Sequence, residues 1–223
     1  MPQPDLEDGA PGLGLAAQER RRLRVAMLED TVSALVRVER IRAVVVVWEH
    51  PADLEEMRGL PQVMHLVAQS REPNEALAGV EQQLEGWVRR SGRVVVAGNL
   101  PACDRRALDK LLDVATTSPA CFLPGPQGRG TTVLTARAGA ALAPGFGVDA
   151  APCSAALDAR PLPPSRFPTL SRDVHTLADL REAMRLGVGP ATLAVARDLH
   201  LLAPERTGAR DRRLRPELAV VRA

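Results

Sequence analysis

Apolar positions along the chain follow two patterns, one-sided helical stripes and short unbroken runs. Between residues 17 and 36, apolar side chains recur at steps of three and four, which predicts an amphipathic helix. Residues 41–48 form a continuous β-branched run, typical of a strand buried on both faces of a parallel sheet. The same patterns continue, with strands expected at 63–67 and 93–97 and helices at 53–58, 77–88 and 104–114. This alternation predicts a three-layer α/β/α sandwich with a mostly parallel sheet.

The valine-rich runs at 41–48 and 93–97 are expected to be neighbouring central strands, because such runs need apolar contacts on both faces. The second half of the chain is less regular. Residues 120–123 and 131–135 flank a Gly/Pro-rich stretch and predict a long hairpin. Residues 166–172 are expected to hold a last short strand.

Two helices are expected near the end of the domain. Thr176 and Asp179 have the spacing of a capping box, and Gly187 can end the helix that they begin. Pro190 predicts the start of a final helix that runs to about residue 201. The resulting domain organisation is a loose N-terminal tail at 1–16, an α/β domain at 17–201 and an Arg-rich C-terminal tail at 202–223.

Composition excludes several classes of protein. Hydrophobic residues make up 45% and charged residues 25% of the chain, as in ordinary globular proteins. The net charge of +2 and the absence of tyrosine argue against a nucleic-acid binder. The longest apolar run, at 43–48, is too short to span a membrane, and the acidic N-terminus predicts no signal peptide. Three widely spaced cysteines predict reduced thiols in the cytoplasm: Cys103, Cys121 and Cys153.

Four polar features are candidates for chemistry, and each has a structural alternative. Residues 98–101 (Gly-Asn-Leu-Pro) end a strand where α/β sheets place ligands, or they form a simple turn. Residues 128–132 offer N–H groups and an arginine to a phosphate, or they are a hairpin tip. Asp173 and His175 would face one metal ion if they lie in a strand, or they are a polar pair beside a helix. The arginine cluster at 206–215 suits phosphate-rich partners, or it is a solvated tail.

Seven short segments share their order and spacing with one protein family. In chain order they are 26–31 (AMLEDT), 73–77 (PNEAL), 98–101 (GNLP), 130–131 (GT), 144–149 (PGFGVD), 173–180 (DVHTLADL) and 186–192 (LGVGPAT). The chain resembles, over about residues 25–192, the phosphoenolpyruvate/2-phospho-L-lactate guanylyltransferases of coenzyme F-420 biosynthesis. These are nucleotidyltransferases with a GT-A-like α/β fold. No single segment is diagnostic, and the specificity lies in their order and spacing.

The resemblance implies transfer of GMP from GTP to phosphoenolpyruvate or 2-phospho-L-lactate, with release of pyrophosphate and with Mg²⁺ as cofactor. It also implies a set of site residues, which are Asp173 and Asn99 for the metal, Asn74, Gly98 and Asn99 for the nucleotide, and Thr131, Gly147 and Ala150 for the acceptor. Three positions depart from the family pattern. The family has an aspartate at the position of Asn99, a second aspartate at that of His175, and a serine at that of Ala150. The first two changes remove negative charge from a site for a hard cation.

The resemblance also implies an opening strand and a glycine- and lysine-containing loop that holds the triphosphate. Residues 1–16 contain neither, and Lys110, the single lysine, lies on a predicted helix. We therefore expect an incomplete sheet or an open groove beside the two valine-rich strands, exposing Val94 or Val96.

Two interpretations follow from these departures. In the first, the protein is a guanylyltransferase with an upstream start, and its partners are GTP and a small phosphorylated three-carbon acid. In the second, it is a non-catalytic relative, a pseudoenzyme that acts as a binding or scaffold module. A protein of the same pathway is then its expected partner.

Overall fold

A computed structural model describes residues 15–48, 63–88, 90–128, 130–142, 145–146, 159–202 and 218–222. The predicted helix at 53–58 and the arginine cluster at 206–215 lie outside the described residues, as does most of the expected N-terminal tail.

Seven strands are described, namely β1 (Ala43–Trp48), β2 (Val63–Val67), β3 (Arg93–Ala97), β4 (Ala120–Pro124), β5 (Thr131–Ala136), β6 (Arg160–Pro161) and β7 (Leu218–Arg222). They form one sheet in the order β2-β1-β7-β3-β5-β4-β6. The pairings make β1, β2, β3, β4 and β6 run in one direction, and only β5 and β7 run in the other. Five of the seven described strands therefore share one direction, as the sequence predicts, while β5 and β7 make four of the six neighbouring pairs antiparallel.

The α-helices of the described residues are α1 (Ala17–Val36), α2 (Pro73–Gln83), α3 (Glu85–Val88), α4 (Arg105–Ala115), α5 (Pro168–Ser171), α6 (Leu177–Leu186) and α7 (Pro190–Asp198). The expected helix at 77–88 is thus divided into α2 and α3. The expected strand at 166–172 is wrong, because this segment is helical in α5. Proline at the first position of a helical turn, as at Pro168, favours this conformation.

Side-chain caps fix where several of these helices begin. Asp104 accepts the N–H of Ala107 (2.9 Å) at the start of α4. Thr176 accepts the N–H of Asp179 at the start of α6, and the Asp179 carboxylate accepts the N–H of Thr176, which confirms the predicted capping box. Gly187 ends α6 with a φ of 97°, a conformation that favours glycine.

β7 lies between β1 and β3 and pairs with both of them in antiparallel register. Val220 is opposite Val45 on one side and opposite Val95 on the other. The prediction that β1 and β3 are neighbours is therefore wrong, although they do run parallel. The expected groove is wrong as well, since Val94 and Val96 are only 2% and 0% exposed.

The C-terminal segment thus fills the centre of the sheet, and the expectation of a tail outside the domain at 202–223 is wrong for Leu218–Arg222. The physical reason is that two central strands each present a row of backbone N–H and C=O groups, and buried groups of this kind need partners. One five-residue strand satisfies both rows.

Apolar burial is greatest along the sheet centre and on one face of α1. Every residue of β3, and every residue of β1 after Ala43, is buried. A smaller apolar cluster joins α1, α6 and the chain beyond β3, and consists of Leu23, Met27, Ala102, Val174, Leu180 and Ala183. This cluster supports the region where β3 ends. Among the described residues, no helix has both the length and the apolar character that a membrane crossing requires.

The central position of β7 predicts a severe effect of proline at Val220. Val220→Pro removes a backbone N–H from a strand that is paired on both sides, so it should cost about 3 kcal/mol or more of stability. Val220→Ala keeps that N–H and is the matched control. Urea unfolding followed by circular dichroism measures both variants. Equal midpoints in the two variants would contradict the placement of β7.

Candidate functional site

The carboxyl ends of β1, β2 and β3 lie along one edge of the sheet, because these strands run in the same direction. In α/β sheets this edge carries the ligand site. β5 is antiparallel to β3, with Val133 opposite Val96. Continuing this register by two residues places Thr131 opposite Gly98, so Gly98, Asn99 and Thr131 are brought to one place.

Residues 98–101, here termed the 98–101 loop, leave β3 at this edge and are buried throughout. The Thr31 hydroxyl shares its hydrogen between the Met27 carbonyl of its own helix (2.9 Å) and the first carbonyl group of the loop (3.3 Å). The N–H of Val174 donates to the second carbonyl (3.0 Å), and that of Gly189 donates to the fourth (2.9 Å). Three segments that are distant in the sequence therefore hold the loop in place.

Two buried side-chain oxygens in this region have no hydrogen-bond partner among the described residues. Nδ2 of Asn99 donates to the carbonyl of Val174 (3.0 Å), but its Oδ1 atom is unpaired. The hydroxyl of Thr131 is likewise unpaired, and the two residues are only 4% and 6% exposed. An unpaired buried polar atom costs about 1–3 kcal/mol. Both atoms would therefore be stabilised by hydrogen bonds to a ligand.

Asp173 and His175 form a close side-chain pair on either side of Val174, whose backbone bonds Asn99. The Nε2 atom of His175 lies 2.6 Å from Oδ2 of Asp173, and the side chains are 26% and 18% exposed, respectively. They do not lie in a strand, because the chain bends at His175. The Asp179 carboxylate stabilises this bend by accepting the N–H of His175 (3.1 Å) and that of Thr176 (2.9 Å). The pair meets because of the bend rather than through strand alternation.

The described residues do not fit a magnesium site. Within these parts of the chain, no three histidine, cysteine, aspartate or glutamate side chains come together. Asp173 already shares its carboxylate with His175, and Asn99 offers only a neutral amide oxygen. Magnesium in proteins is held by hard oxygen ligands that include carboxylates. The assignment of Asp173 and Asn99 to a metal stays a prediction that this geometry does not favour.

Asn74 lies in the first turn of α2, shortly after the end of β2. Its Oδ1 atom accepts the N–H of Gly145 and that of Phe146, both at 3.0 Å. Its Nδ2 atom donates to the carbonyl of Phe146 (2.9 Å) and to the carboxylate of Glu72 (3.1 Å). All four hydrogen-bonding positions of the amide are therefore filled. Asn74 holds the 145–146 segment, and a direct contact with a nucleotide stays a prediction.

Other predicted site residues fall in parts of the chain that the structure does not describe. These are Gly147 and Ala150, which were expected at the acceptor, and Arg129, which was a candidate for contact with a phosphate. Gly128 and Gly130, on either side of Arg129, have φ angles of 74° and 64°, which favour glycine.

Sequence reasoning gave Asp30 no role, although Asp30 belongs to one of the seven segments. Its carboxylate is 5% exposed and accepts the N–H of Ala191 (3.1 Å) and that of Thr192 (2.8 Å) at the start of α7. The signal was present in the pattern: Asp30 lies three residues after Met27 and four before Ala34, on the buried face of α1. A buried carboxylate requires a specific partner.

Two further buried groups lie close to this edge. Nε1 of Trp48 donates to Nδ1 of His65 (3.0 Å), a pairing that sequence reasoning missed because its members lie on different strands.

Burial raises the pKa of the Cys103 thiol well above its ordinary range, and the nearby charge of Asp104 raises it further. A thiol of this kind is not a nucleophile at neutral pH. The chemistry of the site therefore does not involve Cys103.

No family model matches the chain, but individual curated proteins do. The phosphoenolpyruvate guanylyltransferase of Geodermatophilus obscurus is 39% identical over 197 residues, which cover 87% of this chain and 85% of the relative. That of Nocardia farcinica is 36% identical and covers 83% of each chain. That of Streptomyces avermitilis is 33% identical and covers 82% of this chain and 85% of its own.

The chain belongs to the phosphoenolpyruvate guanylyltransferase family. The resemblance carried by the seven segments is thereby confirmed. The chain is also similar to a crystal structure from Desulfovibrio desulfuricans G20 that is assigned as a nucleotide-diphospho-sugar transferase, with a TM-score of 0.59 and 17% identity. That match covers 82% of this chain and 84% of the other. It shows the fold alone, and it confirms the predicted α/β sandwich.

Replacing Asn74 by aspartate should loosen the 145–146 segment without unfolding this family member. A carboxylate still accepts from Gly145 and Phe146, but it can donate neither to the Phe146 carbonyl nor to the Glu72 carboxylate, which it then faces. Loss of the bond to the Phe146 carbonyl alone costs about 1–3 kcal/mol, so exchange of these two amide hydrogens should accelerate by roughly 10-fold or more. Gln82→Ala, an exposed position on the same helix, is the control. Equal exchange in both variants would show that Asn74 does not hold the segment.

The double substitution N99D/H175D should bind Mg²⁺ more tightly than the natural chain does. It adds two carboxylates, one at the residue that bonds the Val174 backbone and one two residues after Asp173, and it removes the imidazole that now contacts Asp173. We expect binding at least about 10-fold tighter than in the natural chain, measured by calorimetric titration with magnesium chloride.

Adding D173N to the double variant is the control and should abolish the gain. If the natural chain binds Mg²⁺ as tightly as the double variant does, Asn99 and His175 do not limit metal binding.

Proposed function

We propose that this protein is a guanylyltransferase of coenzyme F-420 biosynthesis, which transfers GMP from GTP to phosphoenolpyruvate or 2-phospho-L-lactate and releases pyrophosphate. The observation that carries the proposal is the 39% identity, over most of both chains, to a protein named phosphoenolpyruvate guanylyltransferase. The geometry supports it, because segments shared with the family meet at the carboxyl end of β3.

The proposed reaction is a displacement at phosphorus. An oxygen of the acceptor phosphate attacks the α-phosphorus of GTP and forms a new P–O bond. The bond from the α-phosphorus to the oxygen bridging it to the β-phosphorus breaks, and pyrophosphate leaves with that electron pair. Such a reaction is accelerated mainly by positioning of the two substrates and by stabilisation of charge.

Thr131 is the residue that we assign to the acceptor. Its hydroxyl is buried and has no partner among the described residues. The β3–β5 register, continued by two residues, puts Thr131 opposite Gly98. A hydroxyl can donate to an oxygen of the acceptor phosphate or carboxylate, and bonds to charged groups are the stronger ones. Asn74 acts one step away, by fixing the chain at Gly145 and Phe146.

The purified protein should release pyrophosphate from GTP only when an acceptor is present. Phosphoenolpyruvate and 2-phospho-L-lactate are each tested with GTP, ATP, CTP and UTP, and the product is identified by mass. We expect turnover with GTP and with at least one of the two acids. No turnover with any combination, from a folded protein, would contradict the proposed function and favour the binding-module interpretation.

Thr131→Val should raise KM for the acceptor about 10- to 100-fold with little change in KM for GTP, as expected for a lost bond to a charged group. Thr132→Val is the matched control on the same strand. Thr132 follows Thr131 in β5, so its side chain points to the opposite face of the sheet. Its hydroxyl donates to the carbonyl of Leu123. An equal increase in acceptor KM in both variants would rule out the assignment of Thr131.

A further inference from the structure

Asp30 is a buried carboxylate that the proposed chemistry does not use. It lies on α1, is 5% exposed and accepts two N–H groups from the first turn of α7, those of Ala191 and Thr192. A buried charge is unfavourable unless it is hydrogen-bonded, and the start of a helix carries a partial positive charge. The carboxylate is therefore the cap that fixes where α7 begins relative to α1.

The junction capped by Asp30 reaches the candidate site directly. The hydroxyl of Thr31, the next residue on α1, lies 2.9 Å from the Met27 carbonyl and 3.3 Å from the carbonyl of Gly98, and it shares its hydrogen between the two. Gly189, immediately before α7, donates its N–H to the carbonyl of Pro101 (2.9 Å). Both ends of the 98–101 loop are thus held by groups whose positions depend on the contact between α1 and the start of α7.

Residue 189 packs so closely against Asp30 that only glycine fits at this position. The backbone of Gly189 has φ −70° and ψ 171°, a conformation open to every residue, so the requirement is not conformational. A Cβ atom there would lie 2.2 Å from Cγ of Asp30, well inside van der Waals contact. Asp30 and Gly189 therefore fit each other as a pair, and neither has room for a larger neighbour.

We propose that Asp30, together with Gly189, positions the 98–101 loop and through it Asn99. This inference rests on the proposed function for its catalytic consequence, but not for its structural content. Asp30 touches no substrate. Its role is to keep α7 docked so that the Gly189 N–H and the Thr31 hydroxyl hold the two ends of the loop.

Amide hydrogen exchange measured by NMR tests the structural part without any substrate. The informative amides are those of Gly189, which bonds Pro101, and of Val174, which bonds the Asn99 carbonyl. In Asp30→Asn, which keeps one oxygen acceptor, and in Asp30→Ala, exchange at both amides should accelerate, by at least about 10-fold in the alanine variant. Glu29→Ala, at the exposed neighbouring position, is the matched control and should leave both unchanged.

The pairing with Gly189 is tested by a double-substitution cycle. Gly189→Ala alone should accelerate exchange at Val174, because the new methyl group overlaps the Asp30 carboxylate. In Asp30→Ala/Gly189→Ala the overlap is gone, so the effect should be smaller than the product of the two single effects. If the acceleration of exchange in the double variant equals the product of the accelerations in the two single variants, the proposed pairing of Asp30 and Gly189 is wrong.

Kinetics test the catalytic consequence. Asp30→Asn should lower kcat for pyrophosphate release by about 10-fold or more, with a smaller change in KM for GTP, since loop position affects the reacting geometry. If the natural protein shows no turnover, the proposed function fails while the exchange experiment still decides the role of Asp30. Exchange that is equal in Asp30→Asn and Glu29→Ala, or that rises uniformly through α4 as well, would overturn the proposal.

Discussion

Burial of the 98–101 loop is the constraint on which the candidate site depends. The 98–101 loop leaves the central strand β3 and is covered by other segments, so water does not reach its carbonyl groups. Each of these carbonyl groups then needs a hydrogen-bond donor from the protein. The sheet cannot provide these donors, because the pairing of β3 ends at Ala97. Three of them are Thr31, Val174 and Gly189, which lie on α1, before α6 and before α7, and the fourth is the nearby N–H of Cys103, which bonds the Leu100 carbonyl. One requirement for hydrogen bonds thus gathers four of the shared segments at one point.

The same requirement explains why the sheet was only partly predictable. Runs of valine identify β1 and β3 as buried strands, because a strand covered on both faces shows no polar alternation. Local pattern does not contain the identity of the neighbouring strand. Leu218–Arg222 is a short apolar run that follows an arginine-rich stretch, and nothing in its own composition indicates that it pairs with both β1 and β3. Its place follows only from the unmet backbone groups of those two strands.

The candidate site was also only partly predictable, because the sequence identifies residues but not the distant residues that they contact. The family resemblance selected Asn74, Asn99 and Thr131, and the structure places Asn99 and Thr131 at one sheet edge. It could not show that Asn74 bonds Gly145 and Phe146, since these partners lie far away in the sequence. Asp30 was accessible from the sequence as a carboxylate on an apolar helix face. The partner of Asp30 could not be predicted, because it consists of backbone N–H groups at the start of α7, and the pattern of side chains does not show where such groups lie.

The two unpaired oxygens at this edge require different ligand groups. The Oδ1 atom of Asn99 can only accept, so its partner must be a donor, such as an N–H or O–H group of a nucleoside. The hydroxyl of Thr131 can donate, and a phosphate or carboxylate oxygen is its natural partner. One oxygen of the Asp173 carboxylate, Oδ2, is already in contact with His175. Among the described residues, this edge therefore offers one unpaired acceptor and one unpaired hydroxyl, and both kinds of group suit the proposed reaction between a nucleotide and a phosphorylated acid.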